Sequence, residues 1–290
     1  MTTATPQALA VGRRLRERLA DRLARCELDL PLLPEAAANV VALCQSGDAD
    51  PRELAATLQR DPALAAHVIR IANSATYAPV EPIVSLQQAA SRLGLRCLGE
   101  VALTAALQGR VFDVRGHENW AQTQWRHAVL TAAWAREVCR VLRSNGETAY
   151  LCALLHDAGL PILLQAASEE LRRSGSELAR DQLEPILIEL HGEAGCRLAE
   201  HWHMPPSVRE AMQCHHDVER ALDFGNDVRI TALADQLAHL HEAHAATTLS
   251  ADGVRSECGK LLDALGIYDD DLERLLARSE WVGQQAAAFA

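Results

Sequence analysis

Residues 150–161 read YLCALLHD followed by AGLP, an apolar run that ends abruptly in His156-Asp157. Such a run is a buried helix, and its last turn carries an imidazole and a carboxylate toward the interior. Gly159 is expected to cap that helix, with the next beginning near residue 162. Upstream, Trp125 to Leu142 reads as a long amphipathic helix. His127 lies on its apolar face with Leu130, Trp134, Val138 and Val141. Downstream, helices are expected at about 182–201, 205–216 and 228–245. They place His191 at the head of HGEAGCRLAEHW, His215-His216 at the end of VREAMQCHH, and Asp235 inside RITALADQLAHL. No run alternates with the period of a strand, so the fold class is all-α.

Composition agrees. Aromatics make up 4% of the 290 residues, and Ala and Leu dominate. Both cost little in a helix, whereas the residues that fill sheets are scarce. The formal charge of −11 disfavours a general nucleic-acid partner. The eight cysteines (26, 44, 97, 139, 152, 196, 214, 258) form no C-x-x-C pair and sit mostly in apolar helical stretches. They read as small hydrophobes in a reducing compartment. No uncharged stretch approaches the ~20 residues of a membrane span, and no signal peptide is legible. The expectation is a soluble, cytoplasmic protein.

Four segments follow. Residues 1–27 hold an arginine-rich amphipathic helix, with Leu15, Leu19, Leu23 and Cys26 on its apolar face and a solvated basic face opposite. Residues 28–112 form a helical subdomain of short elements. Asp50-Pro51 and Asp61-Pro62 open helices there, with Glu53 completing a capping box. Ser85 opens another and Gly94 stops it; Leu54, Leu58, Leu64, Val68 and Ile71 face inward. The polar stretch Asp113–Asn119 is the best internal boundary, before a second helical subdomain at 120–245. Residues 246–290 contain a loop at 246–256 and further helix at 257–285.

Imidazoles and carboxylates on the inner faces of several helices suit a mixed nitrogen–oxygen metal site. The candidate ligands are His127, His156, Asp157, His191, His215, His216 and Asp235. Asp157 is placed to bridge two ions. One or two divalent transition-metal ions (iron, manganese, nickel or zinc) are the implied cofactors. His201 and His203 read as surface residues beside a buried Trp202, and His239, His241 and His244 as a solvated helix face. Asn73-Ser74 reads as a helix end bonded to nearby backbone.

The order His127, His156-Asp157, Asp235 resembles the HD superfamily of metal-dependent phosphohydrolases, and His191 with His215-His216 resembles its HD-GYP branch. The phrases LPLLPEAAANVVAL (30–43), RDPALAAHVIRIANSATY (60–77), SLQQAASRLGLRCL (85–98) and HGEAGCRLAEHWHMPPSVREAMQCHH (191–216) resemble the HDOD family more closely. That resemblance implies an all-helical HDOD/HD-like architecture serving as a bacterial signalling or output module. Its implied partners are signalling proteins, with a nucleotide as a candidate ligand. The chain departs from active HD-GYP enzymes at Leu160, where they carry a lysine, and after His216, where no GYP loop follows. Thr123, one turn before His127, supplies no acid for a third metal. Arg126, Arg197 and Arg229 are candidate replacements for the lysine. The implied function is regulatory binding with a metal site; the rival is a di-metal phosphohydrolase or cyclic-nucleotide phosphodiesterase.

Overall fold

Helix starts are written into the chain as capped first turns. The Asp61 carboxylate accepts from the N–H groups of Ala63 and Leu64, both at 3.1 Å, ahead of Pro62. Ser85 accepts from Gln88 at 3.2 Å. Each satisfies donors that the first turn leaves without helical partners. The computed structural model describes residues 6–46, 51–74, 76–77, 79, 81–112, 114–243 and 249–289. Among them run α1 (Pro6–Ala24), α2 (Glu35–Ser46), α3 (Pro51–Gln59), α4 (Pro62–Ala72) and α5 (Leu86–Val111). Next come α6 (Glu118–Leu142), α7 (Gly146–Leu155), α8 (Gly159–Ser174), α9 (Arg180–His201) and α10 (Pro206–Cys214). A single 3₁₀ turn at Val218–Arg220 precedes α11 (Gly225–Ala243), α12 (Ala251–Leu265), α13 (Asp269–Leu276) and α14 (Ser279–Ala287). The described residues contain no strand, as the all-α reading requires.

Helices α2–α4 pack on α5 around Leu54, Leu58, Leu64, Val68 and Ile71, the inward set expected from sequence. Helices α6, α7, α10 and α11 pack side by side, and α12–α14 close over α6 and α11. One apolar core runs through both groups, joined where α5 meets α7. A smaller core joins Leu15, Leu19 and Leu23 of α1 to Leu160 and Leu163 of α8 and Leu187 of α9.

Several elements differ from the sequence reading. The loop expected at 246–256 is helical from Ala251, because Ser250 caps α12 by accepting from Gly253 at 3.2 Å. The helix α6 begins at Glu118, inside the expected boundary. Cys26 is exposed at φ +55° because α1 has already ended at Ala24. The arginine face of α1 is not simply solvated: Arg16 and Arg18 pair with Glu189 and Glu170, and Arg22 lies 3.8 Å from Glu169. The exposed Arg16–Glu189 pair contributes about 0–1 kcal/mol, while Leu15, Leu19 and Leu23 bury the helix's apolar face. Gly94, at φ +77°, interrupts α5 where a stop was expected, and the helix resumes directly after it. Asp50, Asp113 and His244 lie outside the described residues, as do residues 246–248 and the side chains of Cys44 and Glu53.

The stretch Gly146–Ser174 is long and apolar enough by composition to cross a membrane, yet 83% of its most apolar window is buried inside the protein. The turn carrying His156 and Asp157 divides it into two core helices.

Candidate metal centre

Five helices deliver the seven candidate ligands to one place: α6 brings His127, the end of α7 His156 and Asp157, α9 His191, the end of α10 His215 and His216, and α11 Asp235. Gly159 makes part of this possible, though not as the helix cap expected. It is the first residue of α8, and a Cβ there would lie 2.1 Å from the carbonyl oxygen of His191. The missing side chain lets the His-Asp turn press against α9.

Asp157 stands at the centre. Its Oδ2 faces His156 Nε2 at 3.3 Å, while its Oδ1 faces His191 Nε2 at 3.2 Å and His215 Nε2 at 3.5 Å. Asp235 Oδ1 lies 2.9 Å from His127 Nε2 and 3.7 Å from His156 Nε2. Two sets of donors therefore share Asp157: one with His191, His215 and His216, the other with His127 and His156. Within each set, one ligand atom per residue falls within 4.8 Å of the others. His216 is the most exposed member, its ring centroid 4.1 Å from that of His215.

Tautomers follow from the outer contacts. Nδ1 of His156 lies 2.7 Å from the Ala153 carbonyl, that of His191 2.6 Å from Ile188, and that of His215 3.1 Å from Ala211. A carbonyl only accepts, so each Nδ1 carries the proton and each Nε2 turns inward. This is how metal-ligating histidines are commonly held. Nε2 of His191 and Nε2 of His215 then face each other at 3.2 Å, an arrangement two lone pairs resist without a cation between them. His156 Nε2 and Asp157 Oδ1 are buried without an aligned hydrogen-bond partner. Buried polar atoms left this way cost free energy, and the donor set present fits a divalent transition metal.

The charges point the same way. Burial opposes the charge of Asp157, but His156, His191 and His215 hold its carboxyl well below the usual range. Asp235 is likewise held down against burial by His127 and His156. His127 is lifted to about 9 because its hydrogen bonds to Asp235 and Glu242 outweigh burial. His156 is raised despite burial by Asp157 and Asp235. Burial lowers His215, and burial with His215 and His191 lowers His216 to about 4.

Two neighbours escaped the sequence reading. His239, expected on a solvated face, places Nε2 3.3 Å from Asp235 Oδ1 and stacks on His127 with centroids 4.4 Å apart. Glu242 Oε2 lies 3.1 Å from His127 Nδ1. Their spacing from Asp235, four and seven residues along α11, was the available signal. His201 and His203 are exposed beside a buried Trp202, as expected. The ion-pair and hydrogen-bonding partners of the Asp157 and Asp235 carboxylates among the described residues are all histidines. Arg126 bonds the Gln122 carbonyl and Arg197 pairs with Glu200 and Glu193, while Arg229 lies against Gly225 at the start of its own helix. Leu160, where the lysine was missed, is buried in the core shared with α1.

The HDOD domain model matches residues 30–218. The chain belongs to the HDOD family. An uncharacterized protein of Treponema pallidum is 24% identical to this HDOD chain over 201 residues, 67% of the chain but only 39% of the Treponema protein. The fold is shared with a Shewanella amazonensis protein described as a candidate metal-dependent phosphohydrolase. That structure has a TM-score of 0.70 at 21% identity, covering 97% of this chain and all of the other. It is also shared with a Marinobacter aquaeolei protein described as a candidate signal transduction protein, with a TM-score of 0.66 at 23% identity, covering 97% of this chain and 66% of the other.

Proposed function

We propose that this HDOD chain is a regulatory protein acting through contacts with signalling proteins, and that its α6–α11 half holds one or two divalent transition-metal ions as a structural or sensing element. The observation that carries the metal is the inward convergence of three imidazoles, each fixed by a carbonyl behind it, on a carboxylate with an orphaned buried oxygen. Asp157 is the bridging ligand, with His191, His215 and His216 on one side and His127, His156 and Asp235 on the other. The regulatory role is supported by family membership and by the description of the Marinobacter protein as a candidate in signal transduction. A nucleotide remains a candidate ligand of the same half.

The rival reading, a phosphohydrolase, has the seven converging candidate ligands and the description of the Shewanella protein in its favour. A bound metal would supply Lewis acidity and an acidified water. Phosphoryl transfer also wants a fixed cation for the developing charge, and losing such a group costs about 3–4 kcal/mol of transition-state stabilisation. Leu160 supplies none and is committed to the α1 core.

The two readings part on activity. Protein reconstituted with manganese or iron and offered a phosphodiester should turn over no faster than the Asp157→Ala variant. Turnover that this substitution abolishes would replace the regulatory reading with the hydrolytic one.

A further inference from the structure

The histidine that the site gains from α11 bears on which kind of metal centre this is. Structural metal sites are closed by protein ligands, whereas catalytic sites keep one position open for water or substrate. On the side of the centre held by His127, His156 and Asp235, the position nearest solvent is taken by His239. Its side chain is 64% exposed, against 6% or less for His127, His156 and Asp235. Nε2 of His239 and Nε2 of His127 flank the same oxygen, Asp235 Oδ1, at 3.3 and 2.9 Å. Ligands at neighbouring positions around an ion with bonds of about 2.1 Å sit roughly 3 Å apart; both imidazole nitrogens lie near that distance from Asp235 Oδ1, and His127, Asp235 and His239 each offer a ligand atom within 4.8 Å of the others. The stacked ring of His127 supports His239 from one side. Glu242, one turn further along α11, braces His127 from behind through Nδ1.

We propose that His239 is a capping ligand: it occupies the solvent-facing coordination position of the ion held by His127, His156 and Asp235, and closes that ion to outside ligands. The proposal rests on the metal centre inferred above and adds to it the reason why the retained ligands need not mean hydrolysis. Asp235 and His239 share one face of α11, four residues apart, so a single helix supplies both groups.

The test uses the full chain carrying cobalt(II), with visible absorption followed as azide is added. The wild-type spectrum should hold steady, and His239→Ala should shift at azide concentrations about tenfold lower or less. Added imidazole should restore the wild-type spectrum to the variant, an effect that a merely structural role for His239 would not produce. Equal azide sensitivity in both proteins, or none in either, would overturn the cap and leave the metal centre standing. Loss of all cobalt from His239→Ala would also overturn it, making His239 indispensable to binding. A wild-type chain that takes up no cobalt would defeat the metal centre itself.

Discussion

Asn73, among the helices α2–α5, and the His156-Asp157 turn, among the helices α6–α11, use polar groups in opposite ways. In the first group, Asn73 sits at the end of α4 and is satisfied by its own neighbourhood. Its amide donates to the carbonyls of Ile69 at 2.9 Å and Ile83 at 2.7 Å, and accepts from the Ile83 N–H at 2.8 Å. In the second group, His156 Nε2 and Asp157 Oδ1 are more deeply buried than the half-buried Asn73 and have no aligned partner. A closed polar network locks a turn, whereas donors that converge on one centre make a mixed nitrogen–oxygen ligand set. Both groups are built from Ala- and Leu-rich helices, so composition alone does not tell them apart.

The largest expected effect breaks the second group. Asp157→Ala removes the carboxylate shared by both donor sets and should abolish metal binding. With metal a thousandfold above its Kd, the metal-dependent stabilisation lost is about 4 kcal/mol. Melting with and without chelator checks it: the wild type should lose stability to chelator and the variant should not.

The next effect concerns pH. His127 has its pKa raised from 6.5 to about 9 in the folded, metal-free protein. Its contribution is therefore fully present below pH 6.5 and is lost as pH rises through 9, at most about 3 kcal/mol. Metal-free protein should melt progressively lower between pH 7 and pH 10. Metal-bound protein has no proton at His127 Nε2 to lose and should be flat over that range. In acid the order reverses, because protons compete with the metal for the imidazoles and affinity falls with pH.

Asn73→Ala tests the first group. It removes three hydrogen bonds and should cost about 2–3 kcal/mol. The loss should be the same with and without chelator, since nothing in the network points to a ligand. A chelator-dependent difference would couple the halves and break the contrast.

Leu160→Lys should have the smallest effect, about 2 kcal/mol of lost burial where α8 meets α1. Metal content measured on the purified variant should be unchanged. Phosphodiester turnover appearing in this variant would show that the missing lysine alone silences an enzyme.

Much of this was legible in the sequence. The proline and Ser/Asp punctuation marked where helices start, and the apolar period of Trp125–Leu142 set His127 inward. Six of the seven candidate ligands meet because each sits on the buried face or at the buried end of its own helix, and the exposed His216 follows His215 in the chain. His239 is hard to read as a ligand because it stands exposed at the mouth of the site among helix positions that look solvated, without a buried ligand beside it in the chain as His216 has in His215. Gly159 was misread because a glycine after a helix usually serves backbone conformation, while here it serves space, a requirement set by α9 more than thirty residues away. The start of α12 was misjudged because Ser250 and Gly253 carry loop composition, and only the hydrogen bond between them shows a cap.

The central claim is that α6–α11 hold a metal, and the most direct measurement is elemental analysis of the untagged chain beside a His156→Ala/Asp157→Ala variant, both prepared without chelator. The account predicts one or two equivalents of iron, manganese, nickel or zinc in the wild type and none in the variant. A wild-type chain that remains metal-free after reconstitution with each of these ions would contradict it.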